Sequence, residues 1–256
     1  MNGPEYYTAV STEDLNGDGA VDILLAGGRV RERSRCKNPL NENCVSQTDG
    51  QAIVKLYLQN AMNPGTFLAA EEYPVTEGIY DFDTGDLDQD KIPDVAVSQC
   101  ESVHIGSHVK VCHVAVLSQY TSGAGGFLSL EKYKTDRRHG HTKIGDLNDD
   151  GLPDIVLSGL AIAGDESVLM INNPKNPGQS FSLRSFGDGI SIDQVAIADL
   201  NNDGRNDLAV TSRESLFVYL QDSQPAKPGN YTIGGTYDVS PETVSTTVKN
   251  CYCRPE

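Results

Sequence analysis

Four short segments constrain this chain more than anything else in it. Asp14-Leu15-Asn16-Gly17-Asp18-Gly19-Ala20-Val21-Asp22, Asp86-Leu87-Asp88-Gln89-Asp90-Lys91-Ile92-Pro93-Asp94, Asp146-Leu147-Asn148-Asp149-Asp150-Gly151-Leu152-Pro153-Asp154 and Asp199-Leu200-Asn201-Asn202-Asp203-Gly204-Arg205-Asn206-Asp207 all read D-L-[ND]-x-D-x-x-x-D. They begin at residues 14, 86, 146 and 199, at intervals of 72, 60 and 53 residues. Recurrence on that scale marks a repeat architecture, in which one unit buries its apolar face only against the next. The 256 residues therefore read as a single domain organised by loops at 14–22, 86–94, 146–154 and 199–207.

Each loop presents oxygen-bearing side chains at its positions 1, 3, 5 and 9. The sets are Asp14, Asn16, Asp18 and Asp22; Asp86, Asp88, Asp90 and Asp94; Asp146, Asn148, Asp150 and Asp154; and Asp199, Asn201, Asp203 and Asp207. A hard cation such as calcium takes six to eight oxygens, and a tight turn with alternating side chains supplies them. Position 7 adds a backbone carbonyl, from Ala20, Ile92, Leu152 and Arg205. Glycine at position 6 admits a positive φ in three loops (Gly19, Gly151, Gly204), whereas the second carries Lys91. A side chain there costs roughly 1 kcal/mol, which ranks the second loop poorest in backbone terms, with four Asp side chains in partial compensation.

Asp, Asn and Gly also favour turns without any metal. Four loops with acids in register outweigh that reading. Charge agrees: the ligand positions hold thirteen carboxylates, and four Ca²⁺ would take the formal net charge from -16 to about -8. An EF-hand loop also begins D-x-N-x-D-G but needs an acid at position 12 and flanking helices. Position 12 here is Leu25, Val97, Leu157 and Val210, inside the branched runs 23–26, 95–97, 155–157 and 208–210. Those runs are short and bounded by turn residues, so they read as strands.

On these residues the chain resembles the FG-GAP/VCBS repeat family, the calcium-loop blades also found in integrin α-subunit heads and in several bacterial and fungal propeller lectins. The resemblance implies an all-β β-propeller, or a four-blade part of a larger one, of four-stranded antiparallel blades with a calcium-binding loop in each. Up to four structural Ca²⁺ are implied, one per loop. Departures are Lys91 in place of Gly, the missing F-G…G-A-P string, and Glu13 where Gly85, Gly145 and Ala198 precede the other loops.

The strand order supports the same arithmetic. A strand precedes each loop (7–11, 79–82, 141–144, 194–197) and a second leaves it. A third follows a variable loop (53–58, 113–117, 168–171, 216–220), and a fourth lies near 67–73, 127–133, 181–186 and 231–237. Four short strands per repeat make a propeller blade. In the tail, 238–256, residues 243–248 read as a fifth copy of the loop-entering strand, followed by Cys251-Tyr252-Cys253 where a loop would begin. Either four blades close on themselves, or further blades or a second chain complete the ring. The second reading is preferred, because an isolated arc leaves unpaired faces.

The six cysteines fall into three local pairs: Cys36 with Cys44, Cys100 with Cys112, and Cys251 with Cys253. The first two pairs would staple the two longest variable loops. The third pair is too close for an unstrained bridge, which leaves those thiols to pair elsewhere or between chains. Disulfides and calcium loops together indicate an extracellular, cell-surface or periplasmic location. The N-terminus shows no signal peptide, consistent with a mature form or a fragment. Asn230-Tyr231-Thr232 is a glycosylation sequon.

The excess of acids argues against nucleic acid as a partner, and no apolar run is long enough for a membrane span. No catalytic motif stands out. Glu101, Asp165 and Glu166 read as solvated loop acids. His104, His108, His113, His139 and His141 read as exposed, although His139 and His141 are spaced to share a strand face. Arg29, Arg31, Arg33 and Arg35, and the run Arg137-Arg138-His139, lie in or beside variable loops, where partner contacts concentrate. The expectation is a non-catalytic binding or adhesion module recognising an extracellular protein or glycan through its blade loops. A structural subunit of a larger extracellular assembly and a polysaccharide-degrading propeller enzyme are the alternatives.

Overall fold

The computed structural model describes residues 5–29, 51–75, 78–105, 107–118, 127, 129–135, 139–159, 167–187, 190, 192–212, 214–222 and 230–239. Side-chain surroundings are not described for 29, 51, 101–111 and 129. Cys36, Cys44, Cys251, Cys253, the expected fifth strand at 243–248 and most of the arginine-rich segments lie outside the described residues.

Sixteen strands form four sheets. Blade 1 holds β1 (Glu5–Glu13), β2 (Asp22–Arg29), β3 (Gln51–Tyr57) and β4 (Glu71–Val75). Blade 2 holds β5 (Ile79–Gly85), β6 (Asp94–Ile105), β7 (Ser107–Ser118) and β8 (Ser129–Lys134). Blade 3 holds β9 (His139–Gly145), β10 (Asp154–Gly159), β11 (Ser167–Asn172) and β12 (Phe181–Phe186). Blade 4 holds β13 (Gln194–Ala198), β14 (Asp207–Ser212), β15 (Ser215–Gln221) and β16 (Tyr231–Asp238). Each sheet is an antiparallel meander in chain order, and the first strands pack side by side in the series β1, β5, β9, β13. This is the arrangement of propeller blades.

The expected strands are present, with two shifts. The fourth strands of blades 1 and 2 begin at Glu71 and Ser129 rather than at Phe67 and Phe127. Phe67 makes only an isolated bridge to Gln59, and the Phe127 ring joins the core before its strand starts. The β6–β7 hairpin is longer than the sequence suggested. Its register pairs Cys100 with Cys112, and the two form a disulfide.

Strand alternation sends successive side chains to opposite faces. Here the trailing face of a blade is the one turned to the next blade, and the leading face the one turned to the previous blade. Leu24, Ala26, Val54 and Leu56 of blade 1 meet Phe82, Val95, Val97 and Leu117 of blade 2 in one core cluster. Ala96, Val114 and Val116 meet Ile155, Leu157 and Met170. Val156, Leu169 and Ile171 meet Leu208, Val210 and Tyr219. Tyr73 with Phe127, and Tyr133 with Phe181, pack edge to face across two of these interfaces, with ring centroids 5.0 Å apart in both cases.

The inner edges are joined by side chains. Thr142 N donates to Asp81 Oδ2 at 3.1 Å and Ile144 N to Asp83 Oδ2 at 2.8 Å. Two carboxylates on β5 thus satisfy edge amides of β9 that no strand ladder reaches. His141 Nδ1 also lies 3.3 Å from Asp81 Oδ2. His139, expected at the surface, is 1% exposed, a correction that follows from the packing of β9 between two blades.

The small residue before each loop also has a reason. A Cβ on Gly85 would lie 2.6 Å from Ile144 Cγ2, and one on Gly145 would lie 3.0 Å from Ile197 Cδ1. Each glycine receives an isoleucine from the following blade. Glu13 precedes a blade with Thr84 at that register, so a larger side chain is accommodated there. Gly85→Val is expected to destabilise the chain by about 1–3 kcal/mol through overpacking, measured by urea denaturation, whereas Glu13→Val is expected to be near neutral. Equal effects would contradict this interface.

Candidate metal-binding loops

The four loops share one backbone. Position 6 has a positive φ in all of them: 87° at Gly19, 75° at Lys91, 82° at Gly151 and 87° at Gly204. Lys91 therefore adopts the conformation the loop demands, with a side chain where the other three loops have glycine. Position 4 is left-handed as well, at Gly17 (72°), Gln89 (65°), Asp149 (62°) and Asn202 (60°). That feature was missed in the sequence, where position 4 varies. The Asp and Asn there were the available signal, since both tolerate the left-handed region.

Side-chain oxygens hold the turns. Asp14 Oδ2 accepts from Gly19 N at 2.8 Å, as Asp86 Oδ2 does from Lys91 N (2.9 Å), Asp146 Oδ2 from Gly151 N (2.8 Å) and Asp199 Oδ2 from Gly204 N (2.8 Å). The position-3 oxygens of Asn16, Asp88, Asn148 and Asn201 accept from the position-5 amides. The position-5 carboxylates of Asp18, Asp90, Asp150 and Asp203 accept from the amides of Ala20, Ile92, Leu152 and Arg205.

Position 9 is the keystone. Asp22, Asp94, Asp154 and Asp207 are each no more than 1% exposed. One oxygen of each accepts from the amide of the position-2 leucine, at 2.8–3.0 Å. The other oxygen of Asp22, Asp154 and Asp207 accepts from an amide at or just past the end of the third strand: Gln59 (2.8 Å), Asn172 (2.7 Å) and Gln221 (2.9 Å). Asp94 instead hydrogen-bonds the Ser118 side chain. A single carboxylate thereby ties loop, second strand and third strand together.

The oxygens suit a hard divalent cation. In three loops the position-3 Asn side chain donates to the position-5 carboxylate, at 2.9–3.0 Å. Asp88 has no such proton to give. In that loop Asp86, Asp88 and Asp94 bring carboxylate oxygens within 4.8 Å of one another. Burial, then the neighbouring Asp90, pushes the Asp88 carboxyl up. Burial, then Asp88, pushes Asp94 up to about 7, and burial pushes Asp154 up to about 7 and raises Asp22. Buried acids held this far above the usual carboxylate range are groups whose charge wants a counterion. In the fourth loop Arg205 already supplies part of one, with its guanidinium 2.5 Å from Asp203 Oδ2.

The loops are also laced to the following blade, a feature the sequence did not reveal. Asn172 Nδ2 donates to Leu87 O at 2.7 Å and to Pro153 O at 2.9 Å. Gln221 Nε2 donates to Leu147 O at 2.8 Å, and Tyr231 Oη to the same carbonyl at 3.1 Å. An amide side chain at the end of the third strand was the only signal available.

Without metal, Asp94 and Asp154 retain protons in the folded state between about pH 4 and 7 that the unfolded chain has released. Folded stability in that window is therefore lost as pH rises. In excess chelator the melting temperature is expected to fall between pH 5 and pH 8. A rise over that interval would contradict the buried-acid assignment.

The FG-GAP-like repeat family matches residues 14–97 and 146–210, covering all four loops. No curated protein matches the chain. With its loops, sheets and blade packing in agreement, the chain belongs to the FG-GAP-like repeat family.

Proposed function

We propose that this chain is an extracellular, calcium-stabilised binding or adhesion module that recognises a protein or a glycan through the loops projecting from its blades, without catalysis. The observation that carries the calcium reading is the set of four buried position-9 aspartates, each in a loop lined by further carboxylates. Asp14, Asn16, Asp18, Asp22 and the Ala20 carbonyl would hold one ion, and the corresponding residues of the other loops up to three more. Bound calcium supplies positive charge that offsets the desolvated carboxylates. The protein's own contribution is to place those oxygens on a turn fixed by backbone amides.

Location outside the cytosol is supported by the Cys100–Cys112 disulfide. The binding role is supported by the rigid frame beneath variable loops, the surface on which recognition residues concentrate. Asn230, within the sequon, is exposed and accessible to a glycan in a eukaryotic secretory pathway.

Calcium is expected to raise the melting temperature, since a ligand at about 100 times its Kd adds about 2.7 kcal/mol per site. A panel of glycans and matrix proteins, probed in millimolar calcium and in EGTA, tests the recognition role. The expected result is a hit that EGTA abolishes. An unchanged melt on chelation would overturn the metal reading, and a blank panel from folded protein would overturn the adhesion reading. Arg205→Ala is expected to tighten calcium binding at the fourth loop, followed by the amide resonance of Gly204. Weaker binding in this variant would show that Arg205 supports the site rather than competing for Asp203.

A further inference from the structure

The three interfaces between blades are one interface repeated. In each, the position-2 leucine of one loop plugs an apolar pocket on the leading face of the next blade. Leu15 clusters with Val95, Leu117 and Phe127, Leu87 with Ile155, Met170 and Phe181, and Leu147 with Leu208, Tyr219 and Tyr231. All three leucines are 0% exposed.

The described chain leaves one trailing face and one leading face without that cover. At the trailing end Leu200 is 44% exposed. Val218 and Leu220 are only half-buried, whereas their counterparts in the other blades are buried. The register of Tyr73 and Tyr133, opposite Val54 and Val114, is held in blade 4 by Gly235 opposite Val218. Tyr237 folds its ring back over that glycine, with its hydroxyl 3.0 Å from where a Cβ would stand. An aromatic ring is thus kept on the trailing face, and Tyr237 is 56% exposed.

At the leading end, Ile23 and Tyr57 occupy the registers of Ile155 and Met170 and are half-buried. Phe67, the counterpart of Phe127 and Phe181, is 39% exposed. Gln59 Nε2 donates to Val21 O at 2.7 Å, which matches the Asn172 contact to Pro153 O. Among the described residues, the contact that Asn172 makes to the preceding loop has no counterpart for Gln59. Among the described residues β1 and β13 do not pack together as neighbouring first strands do elsewhere, so the two faces do not close on each other.

We propose that the trailing face of blade 4 docks on the leading face of blade 1 of a second copy, head to tail. Leu200 enters the pocket of Ile23, Tyr57 and Phe67, and the Gln59 side chain reaches the Leu200 carbonyl. The contact continues an interface this chain already makes three times. Two such contacts related by a two-fold axis close eight blades into one ring, at the upper end of the usual propeller range. Lys55, farther from the loop on the same leading face, is ion-paired to Glu5 (2.8 Å) and Glu72 (3.0 Å), where the other blades carry Ala115, Val168 and Phe217.

The test is sedimentation velocity on the 256-residue chain in millimolar calcium, over a concentration series, with Leu200→Asp and Phe67→Asp as variants. The wild type is expected to approach twice its 27.6 kDa mass. Each variant is expected to remain monomeric with an unchanged far-ultraviolet circular dichroism spectrum, its melting temperature lowered only by the loss of association. Mixing the two variants restores a dimer, because one retains an intact leading face and the other an intact trailing face. A wild type that stays monomeric overturns the proposal and leaves that face to further blades of the same polypeptide or to another partner. A dimer indifferent to both substitutions places the interface elsewhere, and an open-ended ladder of masses overturns the closed ring.

Discussion

A buried carboxylate at the start of each second strand organises the rest of the molecule. Asp22, Asp94, Asp154 and Asp207 are removed from water, yet each accepts from the amide that opens its loop. Three of them also accept from the amide that ends the third strand. Those bonds fix where two strands begin relative to a third, and so the register of the blade. The energetic burden is desolvated negative charge, which rises with every further acid the loop brings close. A candidate cation-binding loop and a strand-positioning device are here the same object.

From that keystone the blade interfaces follow. The leucine beside the first aspartate is held by the same carboxylate, and its side chain is delivered to the neighbouring blade. Its carbonyl, in the second and third loops, accepts from Asn172 and Gln221 of the next blade. Loop order and blade packing are therefore linked through a single residue, and what loosens a loop is transmitted to an interface. The exposed Leu200 carries the same logic to the edge of the described structure.

The acidic loops, the four-strand repeat and the all-β class were legible because carboxylate spacing and alternation are local properties. Lys91 was read as a backbone penalty and adopts the required conformation nonetheless. What stayed hidden depends on partners distant in sequence. Nothing in the sequence singles out Asp81 and Asp83, and only the approach of β9 makes them acceptors for edge amides. Gln59, Asn172 and Gln221 carry no recognisable code by themselves. The fourth strands of blades 1 and 2 were placed too early because an aromatic residue signals burial as strongly as strand: Phe127 is buried ahead of its strand, and Phe67 makes only an isolated bridge.

The most direct measurement is hydrogen exchange, followed by mass spectrometry on peptides spanning residues 14–25, 86–97, 146–157 and 199–210, in calcium and in EGTA. The account predicts that calcium slows exchange in all four peptides and in the third-strand ends at Gln59, Asn172 and Gln221 together. Protection confined to the loops, with the third-strand ends unaffected, would contradict the claim that the buried carboxylates couple metal to blade.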